Sequence, residues 1–153
     1  MANPDVGPLF AGADDEGLLF ALRHMIRSPR NDAQCTFCIA LDATELLNGD
    51  GFESLFEQTT SLEEYAAAFA SIGMPQVQPI FDRVLALIPP DLRMPKNEEA
   101  LCDHLRDRFD ELKGLASEFY RASTDVVSKL ARYVRAHQGD FSDCLVRSAA
   151  EAE

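Results

Sequence analysis

Between Asn31 and Asp82 the chain has no Lys, Arg or His, and the whole molecule sets 14 Lys and Arg against 26 Asp and Glu. A formal net charge of −12 repels nucleic acid and anionic membrane, so neither is expected as a direct partner. Long apolar runs are missing too: none approaches the ~20 residues of a membrane span. The opening Met-Ala-Asn-Pro-Asp lacks the basic and apolar regions of a secretory signal, so a cytoplasmic location is expected. No stretch sustains the apolar–polar alternation of a half-buried strand. Catalytic signatures are absent as well. There is no HExxH, no GxSxG and no phosphate-binding glycine loop, and His24, His104 and His137 are scattered. The expectation is a non-enzymatic protein with no catalytic residues, no metal and no cofactor.

What is present is the material of a folded core. A chain of 153 residues with 46% hydrophobic content fits one domain. The spacing predicts an all-α fold, a single compact helical domain of six to eight helices over residues 14–147. An extended arm at 1–13, rich in Pro and Gly, precedes it and a frayed tail at 148–153 follows. The first helix is expected from Asp14 to Arg27, with acids at its start, Arg23 and Arg27 near its end, and Leu18, Leu19, Leu22, Met25 and Ile26 on one face. Residues 32–47 are apolar on almost every side from Cys35 to Leu41, which predicts a central buried helix. Asn48-Gly49-Asp50-Gly51 then turns the chain, with Gly49 expected in the left-handed conformation. A short helix is expected over Phe52–Gln58.

Ser61-Leu62-Glu63-Glu64 is a capping box. It opens a helix that buries Leu62, Tyr65, Phe69 and Ile72 and closes at Gly73. Val77, Ile80, Phe81, Val84, Leu85 and Ile88 form the next stripe, with Pro75 and Pro79 near the first turn and Pro89-Pro90 as the stop. Asn97 starts a helix carrying Leu101, Leu105, Phe109 and Leu112 to Gly114. The last helical region runs from about Ala116, re-capped at Ser123, with Val127, Leu130, Ala131 and Val134 inward. Cys35, Cys38, Cys102 and Cys144 are expected to be reduced and at home in the core.

Two spacings touch metal chemistry. Cys35-Thr-Phe-Cys38 has the two-residue gap of zinc and thiol-redox sites, but no second pair at a matching spacing exists and the pair lies inside an apolar helix. Asn48, Asp50, Gly51 and Glu57 fit positions 3, 5, 6 and 12 of a calcium loop, yet position 1 would be Leu46, where an Asp ligand is required.

The acidic stretch is the remaining signal. Residues 31–82 hold nine of the 26 acids, whereas acids and bases nearly balance on either side. Asp42 and Glu45 are three apart, and Asp50, Glu53 and Glu57 are spaced three and four, so helical neighbours share a side with Cβ atoms roughly 5–6 Å apart. With Glu63 and Glu64 they form the candidate partner-binding set, and Asn48, Gly49, Gly51 and Phe52 form the structural turn between them. Carboxylates in a row on a rigid body stand in for phosphates before a groove of Arg and Lys. The reading is an acidic binding protein, a DNA mimic that occupies the basic groove of a DNA-binding regulator. Three alternatives stay open: a solvated acidic surface that only aids solubility, an immunity protein for a basic toxin, and a small-molecule-binding protein or enzyme with a pocket at the Asn48–Phe52 turn. Oligomeric state is not legible.

The segment from Leu41 to Phe56, with Glu45 ahead of Asn48-Gly49-Asp50-Gly51-Phe52, resembles the signature of a bacterial all-helical family of DNA-mimic-like proteins. Ala68-Phe69-Ala70-Ser71-Ile72-Gly73, Val84–Pro89, Glu118-Phe119-Tyr120 and Leu130–His137 are similar to its later pieces, and the resemblance covers about residues 18–141. Here Asp50 is inserted between the two glycines, and Leu55 and Gln58 replace the family's usual aromatic and Asn. The resemblance implies an all-helical fold and a partner that binds DNA.

Overall fold

A computed structural model of the protein describes residues 14–56, 58, 60–90 and 98–143. The expected arm at 1–13 and tail at 148–153 lie outside the described residues, as do Glu57, Asn97 and Cys144. The fold is all-α, and no strand occurs among the described residues. The helices are α1 (Asp15–Met25), α2 (Asp32–Gly49), α3 (Phe52–Phe56), α4 (Leu62–Ser71), α5 (Gln78–Ala86), α6 (Glu98–Leu105), α7 (Phe109–Ala122) and α8 (Val126–Ala136). Three-residue 3₁₀ turns, Pro75–Val77 and Arg106–Arg108, lead into α5 and α7. Among the described residues no helix is long and apolar enough to cross a membrane.

The chain divides into two compact units, Met1–Cys38 with Asp125–Glu153, and Ile39–Thr124. In the first, Asp14 caps α1 by accepting the Gly17 amide at 2.7 Å, and Asp15 and Glu16 sit in the positive first turn. Leu18, Leu19, Leu22 and Ile26 are buried where α1 packs on α8, which contributes Val126, Leu130, Ala131 and Val134. Each Val, Leu or Ile among them stabilises the fold by about 1.5–3 kcal/mol through lost contact with water. Val126, not Val127, takes the inward position expected at the start of α8, and Met25 is only half-buried. Arg135 and Asp15 close over this interface at 2.6 Å.

Gln34 is the polar keystone of this unit. It is fully buried, yet its Nε2 donates to the Asp140 carbonyl at 2.7 Å and the Asp143 carboxylate at 2.8 Å, while its Oε1 accepts the Arg30 amide at 3.0 Å. Asn31 accepts the Gln34 amide at 2.9 Å as a helix cap and donates to the same Asp140 carbonyl at 2.8 Å. The first turn of α2 is thereby fastened to the helical stretch 138–143, and Phe37 meets Phe141 edge to face at 5.8 Å.

The second unit is built around four rings. Phe81 lies 5.7 Å from Phe52, 5.8 Å from Phe69 and 6.1 Å from Phe119, and Phe69 and Phe119 are 5.4 Å apart. They come from α5, α3, α4 and α7, and all four are fully buried. The capping box forms as expected: Ser61 Oγ accepts the Glu64 amide at 3.2 Å, and Glu64 Oε2 accepts the Ser61 amide at 2.9 Å. Gly73, at φ +88°, ends α4 in a Schellman turn, with Met74 N–H on the Phe69 carbonyl and Gly73 N–H on that of Ala70.

Several expectations change. Gly49 is not left-handed: α2 runs through it, and Gly51 is the residue at φ +81°. The turn comes later because Asp50 N–H and Gly51 N–H both reach the Leu46 carbonyl, at 2.8 and 3.2 Å. The helix thus gains a residue pair before the chain turns. Nor is α2 buried on all sides, since Cys35 is exposed and Thr36, Cys38, Ile39 and Leu41 only half-buried. Cys35 and Cys102 are on the surface, not in the core. Gly114 closes nothing and lies within α7. The interruption comes at Arg106–Arg108, where 3₁₀ geometry turns the chain about 120° per residue instead of 100° and swings Phe109 out of line, to 38% exposure. Ser123 caps no following helix. It is buried at the end of α7, its hydroxyl directed at the Tyr120 carbonyl. The helix after Gly51 stops at Phe56, short of Gln58.

Two outcomes follow from this local geometry. Gly49 has helical backbone and open space beside it, so Gly49→Ala should stabilise by ~0.5–1 kcal/mol. Gly51→Ala should destabilise by ~1–2 kcal/mol, because its left-handed φ disfavours any Cβ. Opposite shifts of the urea midpoint at constant slope would establish the turn; equal shifts would refute it. For the first unit, Gln34→Leu removes three part-buried hydrogen bonds and should cost about 1–3 kcal/mol in the same measurement.

Candidate functional site

The acidic candidates all belong to the unit Ile39–Thr124. On α2, the inward residues Ala40, Ala43, Thr44 and Leu47 leave Asp42 and Glu45 on the outer side, one turn apart and exposed. Thr44 is held inside by donating to the Ala40 carbonyl at 2.8 Å. Asn48, Gly49 and Asp50 continue the exposed edge to the end of the helix. From Asp42 to Asp50 that edge runs about 12 Å, at 1.5 Å per residue. A Cβ on Gly49 would meet nothing within 4 Å, so no neighbouring wall closes on this edge there.

The turn returns Phe52 to the core. Ser54 sits beneath it, its hydroxyl 2.6 Å from the Gly51 carbonyl and 3.3 Å from that of Leu46. Glu53 is half-buried and folds back on the turn, so that a Cβ built on Gly51 would lie 2.9 Å from its Oε2. Of the described candidates it is the least presented to solvent. Glu63 and Glu64 are exposed in the first turn of α4, where carboxylates favour the positive helix end, and Glu64 is committed to the cap as well.

Tyr65 of α4 lies within electrostatic reach of Asp42 on α2. Its ring is 2% exposed, and burial pushes the phenol above its usual range. A hydrogen bond with Thr60 pulls in the other direction, while the charges of Asp42 and Glu64 raise it further. Asp42 and Glu64, 22 positions apart in the chain, are therefore gathered near one hydroxyl. Asp42 and Glu45 are both engaged with neighbours. The ion pairs Arg83–Glu118, Arg106–Asp103 and Arg108–Glu111 draw on acids outside the candidate set. Residues 42–49 are helical, so the calcium-loop spacing does not wrap an ion there.

Sequence reasoning placed Tyr65 in the core and missed that its phenol sits among the acids. No spacing rule joins Asp42 to residues 60–65; only the folded chain brings them near one another. It also missed a groove between α5 and α7, lined by Arg83 and Arg121. The signal was there in Gly114, a glycine inside a helical pattern.

The Tyr65 environment fixes a pH response. The folded pKa is raised, so the stability that the neutral phenol confers is complete below about pH 10 and is lost as pH rises through the folded value. Tyr65→Phe should flatten the alkaline fall in urea stability. Asp42→Asn should lower the Tyr65 titration midpoint in ultraviolet difference absorbance, and an unmoved midpoint would separate Asp42 from this phenol.

Comparison with known proteins bears on the same residues. Neither a curated protein nor a solved structure matches the chain. A family model described as DMP19-like protein matches residues 30–137, well over half of the sequence, and includes the turn, the four-ring core and every acidic candidate. In keeping with its resemblance to DNA-mimic-like proteins, the chain belongs to the DMP19-like protein family.

Proposed function

We propose that this protein is a non-enzymatic, cytoplasmic DNA mimic whose acidic edge on α2 and α4 occupies the basic groove of a DNA-binding regulator. The observation that carries the reading is the exposure of Asp42, Glu45, Asp50, Glu63 and Glu64 on one unit, within a stretch that contains no basic residue. Membership of a family described by a DNA mimic protein supports it. Glu53 joins the proposed surface from the flank of the Gly51 turn, and Glu57 belongs to the proposed set by sequence.

The physical basis is charge held at fixed spacing. Double-stranded DNA presents a negative charge every ~1.7 Å of axis to its protein partners, which answer with Arg and Lys. Carboxylates three residues apart on a helix hold neighbouring acceptors about 5–6 Å from one another, and Arg binds both kinds of oxyanion with the same planar fork. The residues between them, Ala43, Thr44 and Leu47, are buried, so the spacing is set by a packed backbone and not by mobile chain. Asp50 lies beyond the last helical turn and extends the row toward Gly51.

The test uses the immobilised protein and a bacterial lysate. A basic protein should be captured at low salt, released as ionic strength rises toward 1 M, where the screening length falls to about 3 Å, and displaced by duplex DNA. Asp50→Lys with Glu63→Lys should abolish capture while helical circular dichroism is retained. Capture that ignores both salt and DNA would overturn the proposal.

A further inference from the structure

We infer that the groove between α5 and α7 binds a small organic anion with an apolar body, of the class of aromatic monocarboxylates. It lies within the unit Ile39–Thr124 and has a volume of about 550 Å³, inside the ~300–1,000 Å³ of small-molecule sites. Its apolar lining is Ala86, Leu87 and Leu115. Gly114 makes the room: a Cβ there would meet nothing within 4 Å, so the missing side chain leaves α7 open along this face.

The lining sets Arg83 and Arg121 against Glu111 and Glu118, but its ion pairs do not all close within the groove. Arg83 is paired with Glu118 at 2.5 Å, bridging α5 to α7. Glu111 is paired with Arg108 at 3.3 Å. That leaves Arg121, exposed in the last turn of α7, with no carboxylate partner among the described residues. In a chain of net charge −12, one unmatched guanidinium beside an apolar lining selects a single negative charge attached to a hydrophobic group. A dianion would meet the carboxylates of Glu111 and Glu118, and a cation would meet Arg121. This site is separate from the acidic edge on α2 and α4, so its occupancy and the capture of a basic protein stand or fall independently.

The test follows amide resonances of the isotope-labelled protein during titration with 2-naphthoate and, in parallel, its neutral amide. Saturable shifts at Ala86, Gly114, Leu115 and Arg121 are expected with the carboxylate, with the amide about tenfold weaker. Arg121→Gln should reduce the carboxylate to the level of the amide. Gly114→Leu should fill the groove and abolish both, and because its position has open space and helical backbone the variant should remain folded by circular dichroism. Absence of saturable shifts, shifts clustered on other residues, or carboxylate affinity unchanged by Arg121→Gln would overturn the inference.

Discussion

Phe81 is the point at which rings from α3, α4 and α7 meet the ring of α5, and this cluster sets the geometry of the acid-bearing unit. Aromatic contacts at these distances contribute ~0.5–1.5 kcal/mol per pair beyond the area they bury. The contribution matters because the surface above works the other way. Carboxylates of like charge on α2 and α4 repel one another, with no Lys or Arg in residues 31–82 to relieve them locally. A dense aromatic interior lets the unit keep that repulsion as a fixed surface feature.

The turn between α2 and α3 joins core to surface. Gly51 accepts a backbone conformation that an L side chain resists, and that single choice sends Phe52 inward to Phe81 while Asp50 stays in solvent. Ser54 ties the Leu46 and Gly51 carbonyls together underneath. Tyr65 and Thr60 secure the other side, at the cost of placing a buried phenol close to Asp42 and Glu64. The hydrogen bond to Thr60 gives the buried hydroxyl a partner, and burial, with the nearby acids adding to it, raises its pKa above the ordinary phenol value.

Local signals read correctly where the physics is local. The Ser61–Glu64 box and the Gly73 turn involve donors and acceptors within five residues, and both were visible as sequence patterns. The stripe from Val77 to Ile88 was visible for the same reason. Gly49, Gly114, Phe109 and Ser123 were misjudged because each depends on the direction the chain takes next. A glycine closes a helix only if the chain must turn there, and here the turn comes two residues after Gly49, at Gly51. Cys35 looked like core because its neighbours are apolar, yet burial depends on what packs against each side of a helix, and its own side is exposed.

The sequence by itself determined that this chain is helical, strongly acidic in one third of its length, and a relative of DNA-mimic-like proteins. Those properties are written in periodicity, composition and a contiguous motif, which need no knowledge of distant contacts. Tertiary structure alone decided which acids face solvent, that Asp42 and Glu64 converge on Tyr65, that Gln34 holds residues 138–143, and that Arg121 borders a groove with no ion pair among the described residues. Each of these joins residues far apart in the chain or sorts one face of a helix from another. Burial, charge and hydrogen bonding act through space, and only the folded backbone defines that space.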